Sequence, residues 1–183
     1  MSRFVLIHGA WLGSWCWDDV ARRLESLGHD VETPELPGHG GDPTPVSVIT
    51  LQSYVDAVAD EMEQDAVLVG HSMAGIVIST LAEQKPESIS SLIYLAAYLL
   101  RPGESIVKVS QRETDSLVGP NMVFAPDWRT VSIQSEALQT VFAPDAPAAA
   151  LERLRTLTRP EPAAPFNTQL QLSESRFGQV PRA

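Results

Sequence analysis

The sequence predicts an α/β fold in which a mostly parallel central sheet is flanked by helices and followed by a helical insertion. Three observations carry that prediction. Short apolar runs without alternation recur at residues 4–7, 66–69 and 92–96, as expected of strands buried on both faces. Amphipathic helical patterns separate them, and strand-helix alternation of this kind builds a parallel layer. Beyond Leu99 the alternation stops, and helical stretches lie between proline-containing breaks as far as about Thr168.

Taken in order, Phe4-Val5-Leu6-Ile7 is the first strand, ended by His8-Gly9. A helix follows from Trp17 to Leu27, with Val20, Leu24 and Leu27 one face apart and Gly28 placed to end it in the left-handed conformation. Residues 30–33 form a weak second strand and 34–45, rich in proline and glycine, a loop. Thr50 reads as an N-cap, after which Leu51, Tyr54, Val55, Val58, Ala59 and Met62 keep an apolar stripe for three turns. The strand at 66–69 leads through Gly70-His71-Ser72 into a helix carrying Met73, Ile76, Val77 and Leu81, and a fourth strand closes the pattern at 92–96. Residues 1–98 are thus the expected core. Residues 99–168 are the expected helical cap, with helices at 136–142 and 148–157, Pro147 opening the second, and a loop around prolines 160, 162 and 165.

A chain of 183 residues suffices for one domain with a full core, and 44% hydrophobic with 20% charged residues is ordinary for a globular protein. Acidic residues outnumber basic ones 23 to 13, for a net charge of -10, and no Lys/Arg stripe occurs, which argues against nucleic acid as a partner. The imbalance is local: residues 1–98 carry 4 basic and 14 acidic side chains, and 99–169 carry 7 and 8. Cys16 is the only cysteine, so an internal disulfide and an all-cysteine metal site are excluded, and a reducing cytoplasm fits. The longest apolar run, 92–100, is nine residues against the roughly 20 of a membrane span, and the N-terminal run is too short for a signal peptide. A soluble cytoplasmic protein without membrane or nucleic-acid partners is expected, of unassigned oligomeric state.

The chemistry sits in Gly70-His71-Ser72-Met73-Ala74-Gly75, between a buried strand and a helix. Small residues two positions either side allow a sharp turn that projects the Ser72 hydroxyl from the sheet edge. A capping serine at a helix start is the bland alternative. Acyl transfer builds negative charge on a carbonyl oxygen, which two backbone N–H groups can hold. Met73, at a helix N-terminus, is one expected donor. Ala10, in His8-Gly9-Ala10-Trp11 after the first strand, is the other. Trp11 and Trp128 are candidates for lining an apolar substrate pocket, with core packing the competing role for Trp11, Trp15 and Trp17.

Taken together, His8 to Trp17, Leu36-Pro37-Gly38-His39-Gly40, Gly70 to Gly75, Leu95-Ala96-Ala97-Tyr98, Arg101 to Ser105 and Arg176 to Arg182 give a chain that resembles the α/β-hydrolase superfamily. Within it, the match is to the small esterase and hydroxynitrile-lyase group that includes plant methyl esterases. The resemblance implies an α/β-hydrolase fold with a helical cap, and a serine nucleophile working with no metal or organic cofactor on a small-molecule ester. Gly9 stands where lyases of the group carry threonine, which favours ester hydrolysis. Residues 169–183 resemble a return to the core leading into the next strand.

A serine hydroxyl needs a base, usually a histidine oriented by a carboxylate, and the fold's chain order is Ser, acid, His. His8, His29, His39 and His71 all precede Ser72; the first two and His71 read as structural, while His39, in the proline-glycine loop, could approach the site as a base but is disfavoured in that role. Asp115, Asp127, Asp145 and Glu161 carry turn or helix-start signals and read as solvated or capping. The expectation is a serine hydrolase whose acid and histidine, with the closing strands and helix, lie beyond residue 183. A non-catalytic small-ligand binder and a hydroxynitrile-lyase-like carbon-carbon lyase are the alternatives.

Overall fold

The first apolar run forms β1 (Arg3–Ile7), an inner strand of the main sheet in a computed structural model that describes all of residues 1–183. It pairs in parallel with β2 (Asp30–Glu32) on one side and β3 (Ala66–His71) on the other. β3 in turn pairs in parallel with β4 (Ile89–Leu95), so the order is β2-β1-β3-β4. The chain steps one way from β1 to β2 and the opposite way to β3 and β4. Right-handed crossovers then put α1 (Asp18–Ser26) on one face and α2 (Leu51–Glu61) and α3 (Ala74–Gln84) on the other. The same reversal opens a crevice at the carboxyl ends of β1 and β3, the usual ligand position in open α/β sheets.

The two faces are covered unequally. On the α2/α3 side Val5, Ile7 and Leu68 pack under Tyr54, Val55, Val58, Ile76 and Val77 in the main core. Thr50 starts α2 with a reciprocal cap, its hydroxyl accepting from the Ser53 N–H and its own N–H donating to the Ser53 hydroxyl. On the other side Leu6, Trp17 and Val69 form a small second cluster under Ala21 and Leu24. Val20 and Leu27, expected on the inner stripe of α1, are exposed, because this face has only one helix to meet. Gly28 ends α1 at φ 84° as expected.

The segment 99–168 corrects the expectation of a purely helical insertion. It contains α4 (Ile106–Ser110), α5 (Leu138–Phe142), α6 (Ala148–Leu157) and α7 (Ala163–Asn167). It also contains an antiparallel sheet of β5 (Met122–Phe124), β6 (Thr130–Ile133) and β7 (Glu161–Pro162). These strands are two to four residues long, too short to show an alternating pattern, and the proline-rich stretch expected as a loop supplies β7 and α7. Finally, the chain returns to α3, where Glu83 accepts from the Ser173 and Phe177 N–H groups, and residues 181–183 run along β4. No helix is long and apolar enough to cross a membrane.

Candidate active site

β1 and β3 are in register from Arg3↔Ala66 to Ile7↔Gly70, so the loops that follow them leave the sheet side by side. Ser72 follows β3 with φ 54°, in the left-handed region that costs a non-glycine residue on the order of 1 to 2 kcal/mol. Neighbours hold it there: the Tyr98 N–H donates to its carbonyl at 3.0 Å and its own N–H donates to the Leu95 carbonyl at 3.3 Å. Close packing around the bend demands glycine at two places. A Cβ on Gly75 would come within 2.9 Å of the Tyr98 backbone, and a Cβ on Gly9 within 2.9 Å of Ser72 Cβ. Ala74, the small residue two positions after the serine, has its methyl fully buried in the core.

Ser72 lines two cavities, of about 480 and 310 Å³, that share Ala10 and Trp11 as common wall. The larger runs past Leu12, Trp15, Cys16 and His71 to α6; the smaller runs past Met73 and Tyr98 to α4, β5 and α7. Ala10 and Met73 are buried, yet neither backbone N–H meets an acceptor within the chain. Buried N–H groups are almost always paired, and these two unpaired ones line the smaller cavity together with Ser72. Ser72, Ala10, Met73 and Trp11 are therefore brought together. Trp128 is not: it is 69% exposed on the turn between β5 and β6, stacked on Phe124, and lines neither cavity. Its distance from the site reflects the short hairpin, which turns the ring outward.

No hydrogen bond joins any of the four histidines to the Ser72 hydroxyl. His8 is fully buried, with Nδ1 at 2.9 Å from the Gly9 carbonyl and Nε2 accepting from the Leu36 N–H. Its Nε2 is 3.1 Å from Glu35, whose carboxyl accepts from the Ser14 N–H and hydroxyl. Burial opposes ionisation of Glu35, but those partners outweigh it and keep the carboxyl below the usual range. His29 accepts from the Ser2 N–H. His71 lines the larger cavity beside the serine, and burial, helped by His8, lowers its pKa.

His39 belongs to a group that sequence reasoning missed. Glu161, expected to be solvated, is fully buried. It accepts from His39 Nε2 at 2.8 Å, the Tyr54 hydroxyl at 3.0 Å and the Trp11 N–H at 3.0 Å. These partners lie 107 to 150 residues away in sequence, so no local spacing could reveal them. An acidic residue between two prolines in a stretch otherwise free of charge was the only available hint.

Comparison with known proteins identifies the family and the fold. Residues 4–182 match the sequence model described as the alpha/beta hydrolase family. A carbendazim hydrolyzing esterase from Nocardioides sp. (strain SG-4G) is 39% identical over 58% of the chain, and the match spans 46% of that relative. A pyrethroid hydrolase from Sphingobium wenxiniae is 31% identical over the whole chain, which spans 69% of the relative's length. The crystal structure of a pyrethroid hydrolase from Sphingobium faniae JZ-2 superposes with a TM-score of 0.87 at 30% identity, over 99% of this chain and 76% of that one.

Proposed function

The chain belongs to the alpha/beta hydrolase family, and from that premise we propose that it is the serine-bearing part of a carboxylic-ester hydrolase acting on small-molecule esters. The observation that carries the proposal is the strained Ser72 beside the two orphan amides of Ala10 and Met73. Relatives named as esterases, methylesterases and pyrethroid hydrolases support the reaction class. In the proposed reaction Ser72 Oγ attacks the ester carbonyl carbon as a base takes its proton. The carbonyl oxygen becomes an oxyanion held by the two N–H groups, worth about 3 to 4 kcal/mol per donor in the transition state. Collapse expels the alcohol, and water then hydrolyses the acyl-serine by the same route.

The base is proposed to be a histidine oriented by a carboxylate, and the chain spans 69% and 76% of the length of two of the relatives it matches. Residues 99–168 are assigned as the cap over both cavities, 1–98 and 169–183 as core, and the cytoplasm as the location, on the strength of the lone Cys16. A lyase reading is disfavoured, because a side chain at position 9 has no room beside Ser72.

Treating the intact gene product with a fluorophosphonate and mapping the adduct by peptide mass spectrometry tests the proposal. Labelling at Ser72, and loss of aryl-ester hydrolysis in Ser72→Ala, are expected. Labelling elsewhere, or full activity in that variant, overturns it.

A further inference from the structure

The mechanism needs Ala10 to present its N–H in one direction, and Ala10 is the residue before a bend. Trp11, the bend itself, sits at φ 64°, a left-handed conformation that a bulky non-glycine side chain adopts only when surroundings impose it. The surroundings are all in the segment that follows the main sheet. The Trp11 N–H donates to Glu161 Oε2 at 3.0 Å, the Trp11 carbonyl accepts from the Arg159 N–H at 3.0 Å, and the indole N–H donates to the Val131 carbonyl at 2.7 Å. All three hydrogen-bonding groups of this residue are thus gripped by β6, β7 and Arg159 just before β7.

Glu161 is the charged member of the grip. Its opposite number, His39, has Nε2 at 2.8 Å from the carboxylate and Nδ1 at 3.2 Å from the Pro37 carbonyl. Both ring nitrogens face acceptors, a placement that suits a doubly protonated ring against the fully buried Glu161. A buried ion pair of this kind is retained for geometry more readily than for stability. Here the anion reaches one of the backbone groups that define the left-handed bend.

We infer that Glu161, braced by His39, is a positioning residue for the proposed esterase reaction, holding Trp11 in its left-handed bend so that the Ala10 amide faces the oxyanion. The inference rests on the serine-esterase reading and adds to it that the cap segment, through β7, sets the geometry of the oxyanion site.

The test uses Glu161→Gln in the intact protein, because the amide keeps the shape and an acceptor for Trp11 but removes the charge that braces it against His39. Hydrolysis of p-nitrophenyl acetate is expected to show kcat lower by about ten- to a hundredfold with KM within about twofold, the signature of a misplaced transition-state donor. Amide exchange should accelerate in the peptide spanning residues 9–13 and stay unchanged in β3. Wild-type kcat in a folded variant overturns the inference, as does exchange that rises equally across the chain, which marks a merely structural role. Should Glu161→Ala alone affect activity, charge is not needed and the role of His39 is refuted. Failure of the esterase reading shows separately, as turnover that survives Ser72→Ala; exchange at 9–13 then decides whether Glu161 holds the bend, and unchanged exchange there refutes it.

Discussion

Gly9→Ala probes the site with a single methyl group. A Cβ at that position would lie 2.8 Å from His71 Nδ1 and 2.9 Å from Ser72 Cβ, whereas ordinary contact begins at 3.4 Å. At least half an ångström must open between the β1 loop and the serine bend, and neither side yields easily. His71 and Ser72 are fixed to β4 and its following loop by backbone hydrogen bonds, and Trp11 is fixed to β6 and β7. Overpacking of this kind costs about 1 to 3 kcal/mol. For a chain of this size that lowers Tm by roughly 2 to 12 °C. The catalytic cost is larger in proportion: if a 1 Å error costs about a hundredfold, half of that costs on the order of tenfold in kcat. Initial rates on p-nitrophenyl acetate at saturating substrate, with Tm by differential scanning fluorimetry, measure both. A folded Gly9→Ala protein with kcat within twofold of wild type, still dependent on Ser72, refutes the packing argument. Gly9→Thr adds two further atoms and should do worse on esters; cyanide release from a cyanohydrin by that variant checks whether it gains lyase chemistry.

Three further outcomes follow from other parts of the structure. Gly75→Ala should lower Tm by several degrees, because its Cβ meets the rigid Tyr98 backbone rather than a flexible side chain, and an unchanged Tm contradicts that contact. Thr50→Ala removes one half of the reciprocal cap on α2 and should cost about 1 kcal/mol in urea unfolding, with esterase activity retained. Burial pulls the His39 pKa down, but the Glu161 hydrogen bond and charge, with smaller help from the Pro37 carbonyl and Glu35, carry it above the ordinary 6.5. Its stabilisation is therefore complete below about pH 6.5 and lost as pH rises through the folded value. With Glu161, Tyr54, Glu35 and His8 facing the ring, wild type should lose more Tm than His39→Gln between about pH 6 and 9, and parallel curves exclude the linkage.

What the sequence made legible was what local pattern encodes. Strands buried on both faces are continuous apolar runs, so β1 and β3 stand out, and the turn after each carries residues whose size alone marks a close approach. α2 announces itself through a cap and a three-turn stripe. The stripe of α1 reads equally well, yet Val20 and Leu27 are exposed, because periodicity says which side of a helix is apolar and nothing of what that side meets. The small sheet of β5, β6 and β7 was illegible, since two to four residues cannot establish a period of two. Trp128 misled for a related reason: a tryptophan in a hairpin turn at φ 59° lies against Phe124, stays exposed and lines neither cavity. Glu161 was illegible in a stronger sense, because its meaning is carried entirely by Trp11, His39 and Tyr54, whose approach exists only in the folded chain.

Strain is distributed with the same logic. Five non-glycine residues have positive φ, and three of them, Trp11, Ser72 and Ala96, follow the carboxyl ends of β1, β3 and β4. Each costs on the order of 1 to 2 kcal/mol, a sum comparable with a good part of the net stability of a domain. Packing alone offers no reason to gather that cost at one edge of one sheet, since a relaxed turn with glycine would connect the same strands. Two of the three, Trp11 and Ser72, border both cavities, and Ala96 borders the larger. The strain therefore lies where the proposed reaction brings a hydroxyl and two amides together, and the bonds that hold it come from β4, its following loop and the far segment containing Arg159 and Glu161. A site so held depends on residues remote from the reacting atoms, so variants in β7 should disturb kcat before they disturb substrate binding.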